Sequence, residues 1–332
     1  MTLRSVGYSG LAALTLAALC SSPAATTARA QNQARTTTPS GMNPQALPWA
    51  FPVAAPGAPP RQDDGSIKHV PGSTEGFTQA QVDDPYAPPD WFPNDHPALP
   101  DVVAHGRRPA VRACAQCHLP NGLGHPESAS LAGLPAVYIL QQMNDFRNEA
   151  RKNSVIMTAM AGAATEAELK ASAEYFASLT PQPWIRVVEA NTVPKTVVGA
   201  GNMRFVSKGT ERIGQRIIEV PEDAMQAESR NSHSGFVAYV PVGSTKKGEV
   251  LVTTGGAGKT IRCGICHGVD LKGLAGVPSI AGRSPIYVVR QLVSMRNGSR
   301  AGVWAELMKA VVAKLSVDDM VSIAAYTASQ QP

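Results

Sequence analysis

A chain of 332 residues has room for two ordinary domains and more. Its formal net charge of +5 is not gathered into a dense Lys/Arg run with interleaved aromatics, which excludes nucleic acid as a partner. Beyond the N-terminal leader no apolar run is long enough to span a bilayer, which excludes a membrane-spanning mature chain.

The leader comes first in chain order. Arg4 precedes the apolar run LAALTLAALC at residues 11–20, and small residues follow, ending in ARA at Ala30. Charge, short apolar core and A-x-A order are the layout of a secretory signal peptide. Residues 1–30 are therefore expected to be removed on export to the periplasm, leaving a soluble chain. Leu19 is bulkier than lipoprotein processing usually accepts, which argues against an acyl anchor on Cys20. Without Arg4 and Arg29 the mature chain stands near +3, a balance that suits an acidic partner or an anionic surface.

Residues 31–100 carry fourteen prolines, three basic and seven acidic side chains. Proline fixes φ and removes a backbone donor, so this segment is expected to be extended and largely unpacked, with packing beginning at Trp91 and Phe92.

Residues 101–182 form the first folded unit. It contains CAQCH, with Cys114, Cys117 and His118. Val137, Leu140, Met143 and Phe146 follow at roughly helical spacing. TEAE at residues 165–168 has the layout of a helix cap, and Leu169, Ala173 and Phe176 behind it make a core-facing stripe. Residues 183–245 differ: RIIEV at 216–220 and GFVAYVPV at 235–242 read as short strands in a β-containing insert. Residues 246–332 then repeat the first unit. At a shift of 149, Cys263, Cys266 and His267 match the first motif, and Tyr287, Gln291, Arg296, Asn297 and Arg300 match Tyr138, Gln142, Arg147, Asn148 and Arg151. At a shift of 151, Met308 matches Met157, Ser316 matches Thr165 and Tyr326 matches Tyr175. The fold class expected is mostly α: two related domains in tandem, a β-containing insert between them and an extended Pro-rich segment before them.

The paired Cys-x-x-Cys-His motifs carry the chemistry. A zinc ribbon needs its two cysteine pairs some 15–20 residues apart, and here nearly half the chain separates them. A thioredoxin-like pair needs a β-α-β surround that neither copy shows. Covalent haem attachment uses all three side chains, two sulfurs for the haem vinyl groups and an imidazole for the iron. Cys114, Cys117, Cys263 and Cys266 are thus expected to bind two c-type haems, with His118 and His267 as proximal ligands. For the opposite axial position the first unit offers Met143, Met157 and Met160, and the second Met295, Met308 and Met320. The repeat favours Met157 and Met308, with Met160 as the alternative in the first unit. Arg147, Arg151, Arg296 and Arg300 recur and match carboxylate geometry, so they are candidate contacts for haem propionates, the bland reading being a solvated helix end. GGAGKT at residues 255–260 lacks the first glycine of a phosphate loop and reads as a turn.

With two CxxCH units, LAG and IAG segments at residues 131–133 and 280–282, a following Tyr helix, a Met and a closing helix, the chain resembles the tandem dihaem class I cytochromes c. The resemblance covers residues 101–182 and 246–330. It implies two cytochrome c folds with His/Met iron that shuttle electrons in the bacterial periplasm between redox protein partners, including a membrane-bound oxidase or dehydrogenase. The family places a proline before the LAG segment, where a carbonyl orients the proximal histidine. Pro278 fits that pattern and Ala129 departs from it. The insert and the Pro-rich segment are also departures. Two further readings compete with a free carrier: a cytochrome subunit of a periplasmic dehydrogenase complex, and a dihaem peroxidase-type enzyme with one displaceable iron position. A thiosulfate-oxidising enzyme with a cysteine ligand is disfavoured, because no mature cysteine remains once both haems are attached.

Overall fold

The structure is a computed structural model that describes residues 44–54 and 62–332. The expected signal peptide and Cys20 lie outside the described residues.

Residues 62–100 hold one short helix, α1 (Gln79–Asp83), closed by a Thr78/Gln81 capping box. The remainder is extended, as its prolines require, but it is not loose. Val70, Val82, Trp91 and Phe92 are buried together, and Phe77 meets Trp91 edge-on with ring centroids 4.7 Å apart. The Trp91 indole donates to the Ser229 carbonyl at 2.8 Å, while Leu47 and Ala50 sit in the core of the second unit. Apolar burial outweighs the missing ladder here, so residues 62–100, part of the segment expected to be largely unpacked, form a packed strap around Val70, Val82, Trp91 and Phe92.

The first unit comprises α2 (Asp101–Ala104), α3 (Ala115–His118), α4 (Ala136–Arg147), α5 (Val155–Ala163) and α6 (Glu166–Ser178). Thr165 and Glu168 form the reciprocal capping box expected at the start of α6. Leu169, Ala173 and Phe176 of α6 then meet Ile139 and Phe146 of α4 in the core. Val137, expected on the core side of α4, is 54% exposed, whereas Gln142 is buried. The helix turns that face towards the second unit instead.

The insert builds two small sheets from β1 (Ile185–Glu189), β2 (Thr192–Val198), β3 (Arg204–Arg212), β4 (Ile218–Pro221) and β5 (Phe236–Val240), with α7 (Ala224–Glu228) between the last two strands. One sheet has the order β1-β5-β4 and the other is the β2-β3 pair. In the first sheet β1 runs parallel to β5, with Ile185 opposite Phe236, and β4 runs antiparallel, with Ile218 opposite Tyr239. The strands read at residues 216–220 and 235–242 correspond to β4 and β5.

The second unit comprises α8 (Ser244–Thr254), α9 (Gly264–His267), α10 (Pro285–Asn297), α11 (Val303–Glu306), α12 (Lys309–Val312) and α13 (Val317–Ser329). A Ser316/Asp319 capping box opens α13. This helix is buried along nearly its whole length, because α8 crosses one side and β1 lies against another. The crossing needs glycine: a Cβ on Gly248 would stand 1.9 Å from the Ser322 carbonyl oxygen. Among the described residues no helix is long and apolar enough to cross a membrane.

The two units meet along a seam with local two-fold symmetry. Lys152 donates its N–H to the Ser299 carbonyl at 2.7 Å, and Ala301 donates to the Ala150 carbonyl at 2.8 Å. Each bond is the repeat image of the other, with Arg151 and Arg300 bridged between them. This is the self-complementary contact of a symmetric dimer, built inside one chain.

Candidate functional site

Each Cys-x-x-Cys-His motif forms a single helical turn. In α3 the His118 N–H donates to the Cys114 carbonyl at 3.0 Å, and in α9 the His267 N–H donates to the Cys263 carbonyl at 2.9 Å. An outside backbone bond anchors each turn, from Cys114 to the Val102 carbonyl (3.1 Å) and from Cys263 to the Val252 carbonyl (3.0 Å). The four cysteines are free thiols. Burial pushes the Cys114 thiol up to about 12 and the Cys263 thiol up to about 11. A disulfide exchanger works by lowering a thiol pKa, so these pairs are built for a different task.

The chain leaves each histidine through a positive φ. Gly268 takes it at 82° without strain, but Leu119 takes φ 60° with ψ 157°, a region nearly reserved for glycine. Such strain persists only where surrounding contacts enforce it, and Leu119 is buried in them.

Both imidazoles are fixed in one tautomer. His118 Nδ1 donates to the Ala129 carbonyl at 2.8 Å, and His267 Nδ1 donates to the Pro278 carbonyl at 2.8 Å. A carbonyl only accepts, so the proton sits on Nδ1 and Nε2 keeps its lone pair, the arrangement typical of a metal-binding histidine. Burial lowers both histidine pKa values and favours the neutral ring. The departure at Ala129 therefore has no consequence for this bond: a backbone carbonyl makes it, whichever side chain that residue carries.

In the first unit the side chains named from sequence come together. Cys114, Cys117, His118, Met143, Met157 and Met160 line one cleft. Leu131, Ile139, Leu169 and Phe176 make its walls apolar. Met160 Sδ accepts from the Arg112 N–H at 3.4 Å, which engages one of its two lone pairs. Met157, in the first turn of α5, has its N–H held by the Ser154 hydroxyl. In the second unit Cys263, Met295 and Met308 pack against one core, with Met308 at the N-terminus of α12. Met320 is wholly buried in that core. Paired thiols, a lone-pair imidazole, a thioether and an apolar cleft fit a haem.

The four recurrent arginines divide into two pairs. Arg147 donates from Nε to the Ala161 carbonyl at 2.9 Å and from Nη2 to the Ala164 carbonyl at 2.8 Å, with an ion pair to Glu166. Arg296 donates to the Leu315 carbonyl, the repeat image of Ala164. This pair ties the end of α4 or α10 to the loop before the last helix. Arg147 thus spends donors on two carbonyls and Glu166, and Arg296 spends one on a carbonyl, a geometry that suits a brace at the helix end. Arg151 and Arg300 are different, being buried at the seam. Arg151 donates to the Gln142 carbonyl oxygen (2.8 Å), the Gln291 carbonyl oxygen (3.0 Å) and the Tyr287 hydroxyl (3.3 Å). Arg300 makes the mirror set, to Gln291 (2.9 Å), Gln142 (2.7 Å) and the Tyr138 hydroxyl (2.8 Å). Burial and the facing Arg300 both pull the Arg151 pKa down. Two cations are thus buried face to face with neutral hydrogen-bond partners, and Arg300 Nε has none. The recurrence of Tyr138, Gln142, Tyr287 and Gln291 was visible in the sequence, but their role at the seam was not.

Fold and site together define a protein with two repeat-related covalent haem sites. No protein-family profile matches the chain. Cytochrome c-554(548) of Halomonas halodenitrificans is 39% identical over 77 residues, covering 23% of this chain and 93% of that protein. The thiosulfate dehydrogenase electron acceptor of Thiomonas intermedia is 26% identical over 227 residues, covering 67% of this chain and 80% of the relative. Cytochrome c4 of Pseudomonas aeruginosa is 25% identical over 234 residues, covering 69% and 88%. The chain belongs to the tandem dihaem class I cytochromes c. It is a haem protein of electron transfer, with two covalently bound c-type haems.

Proposed function

We propose that this chain is a periplasmic carrier in which residues 101–182 and 246–332 each hold one iron, through His118 with Met157 and through His267 with Met308. When bound, the haem irons supply the one-electron couple. The protein contributes the rest. The Ala129 and Pro278 carbonyls orient the imidazoles, the apolar walls exclude water, and the thiols tether. The observation that carries the reading is the duplicate geometry, with Nδ1 held on a carbonyl in both units and a repeat-matched methionine in each.

Arg151 and Arg300 place two positive charges between the units. Facing haem propionates would compensate them, and that charge would favour the reduced state on both sides. The names of relatives in thiosulfate and sulfide oxidation support a dehydrogenase as electron donor. With His118 and Met157, and His267 and Met308, as ligands, neither iron would keep an open position, which would favour a carrier over a peroxidase. The leader at residues 1–30 supports the periplasm.

The test is a potentiometric titration of Met157→Ala, Met160→Ala and Met308→Ala. Met157→Ala and Met308→Ala should each lower the potential of one haem by about 0.1 V or more, inside the ~0.8 V range that axial ligation spans. Met160→Ala should leave both potentials in place. A response to Met160→Ala without one to Met157→Ala would overturn the ligand assignment in the first unit.

A further inference from the structure

Repeat-related residues at the two attachment turns differ sharply in exposure. Gln116 is 7% exposed, whereas its counterpart Ile265 is 56% exposed. Pro120 is buried, whereas Val269 is 96% exposed. Cys117 is half-buried and Cys266 is exposed.

The chain's own additions cause the difference. Arg230, just after α7, donates to the Gln116 carbonyl at 2.5 Å and to the Val82 carbonyl of the strap at 3.0 Å. Asn121 donates to the Ser232 carbonyl at 2.6 Å, and the Ala113 N–H donates to the Pro85 carbonyl at 3.0 Å. Insert and strap therefore close over the first turn and the loop behind it. Among the described residues the second turn has no such cover, and Ile261, Ile265, Val269 and Leu274, on the turn or within seven residues of it, are each exposed. Apolar side chains gathered in this way mark an interaction site more often than a plain surface. Cations stand beside them. Arg262 is exposed between Ile261 and Cys263, and Lys314 reaches the Gly258 carbonyl at 3.4 Å.

We propose that the second attachment turn is the face on which this carrier docks its protein partner, an acidic redox protein, and that the insert and strap seal the corresponding face of the first unit. An apolar centre gives such a contact its grip, and the basic rim selects a partner of opposite charge and speeds its approach. With haem held at Cys263, Cys266 and His267, this face would let one electron pass between that haem and the partner's metal centre, one oxidised as the other is reduced, with no proton moved and no bond made or broken. This inference rests on the electron-carrier reading.

The experiment uses the holoprotein and plastocyanin, a copper protein with an acidic face, as the probe. Stopped-flow rates are measured at low and high salt for the parent chain, Ile265→Asp, Arg262→Glu and two controls, Lys170→Glu in the first unit and Lys195→Glu on the insert. Carbodiimide cross-links to the probe's carboxylates are mapped in parallel. Ile265→Asp and Arg262→Glu should each slow exchange about tenfold at low salt, with the difference shrinking as salt screens the charges. The controls should stay within about twofold, and cross-links should fall on Lys314 or on Lys272, five residues past His267. Equal slowing by Lys170→Glu or Lys195→Glu, or cross-links confined to Lys170, Lys195 or Lys208, would overturn the docking face. Failure of both haems to cycle with dithionite and ferricyanide would instead bring down the carrier reading itself.

Discussion

Gly248 separates two effects that usually oppose each other when a helical glycine becomes alanine. Alanine gains about 1 kcal/mol in helix propensity over glycine. At Gly248 in α8 the added methyl would stand 1.9 Å from the Ser322 oxygen, 2.7 Å from its carbonyl carbon and 2.7 Å from Tyr326 Cβ. Backbone and Cβ atoms are not the free ends of flexible side chains, so α8 and α13 must move apart. Overpacking of this kind costs about 1–3 kcal/mol and sometimes more, which outweighs the propensity gain. Gly248→Ala is therefore expected to destabilise the second unit by about 1 kcal/mol net. The exposed Gly162 in α5 is the internal control, because a Cβ there meets nothing within 4 Å. Gly162→Ala should gain about 0.5–1 kcal/mol. Denaturant unfolding, read separately from each haem's optical band, checks both. Equal effects at the two glycines, or a stabilised Gly248→Ala, would refute the close crossing that holds Val252 under Cys263.

Burial holds the Glu219 carboxyl at about 7, above the ordinary 4.5; Oε2 accepts from the Ser284 hydroxyl and the Ile286 N–H at 2.8 Å each, while Oε1 bonds to nothing. The native state holds this proton more tightly than the unfolded chain. Stability is thus fullest below pH 4.5 and declines through about pH 7, by about 3 kcal/mol in all. Glu219→Gln should flatten that decline in urea titrations across the window, and an unchanged slope would contradict it. At the seam, Arg151→Met removes the Arg151 bond to the Tyr287 hydroxyl but leaves Arg300 on both glutamines, so it should cost about 2 kcal/mol. The double variant with Arg300→Met strips the last arginine donors from Gln142 and Gln291, and chemical unfolding should show a loss larger than the sum of the singles.

The residue types and spacing of the candidate site are legible in the sequence because covalent attachment dictates both. The CxxCH turns, the two final caps and β4 and β5 are local patterns, and local patterns are visible in one sequence. The rest depends on contacts between distant segments. α8 carries Val250, Val252, Thr253 and Thr254, which mask its helical character until α13 packs against it. β3 is studded with charges and pairs only with β2, so no buried stripe announces it. Prolines suit the extended backbone of residues 84–100 but say nothing of the partners that bury Trp91. Arg151 and Arg147 have similar neighbours in sequence, and only the seam separates a buried cation from a helix-end brace.

The most direct test is near-infrared magnetic circular dichroism of the oxidised holoprotein, scaled to protein concentration. It reports axial ligands and counts them. The expected result is two haems per chain, each with histidine and methionine signatures. A bis-histidine signature, or methionine intensity for one haem alone, would contradict paired ligation by Met157 and Met308.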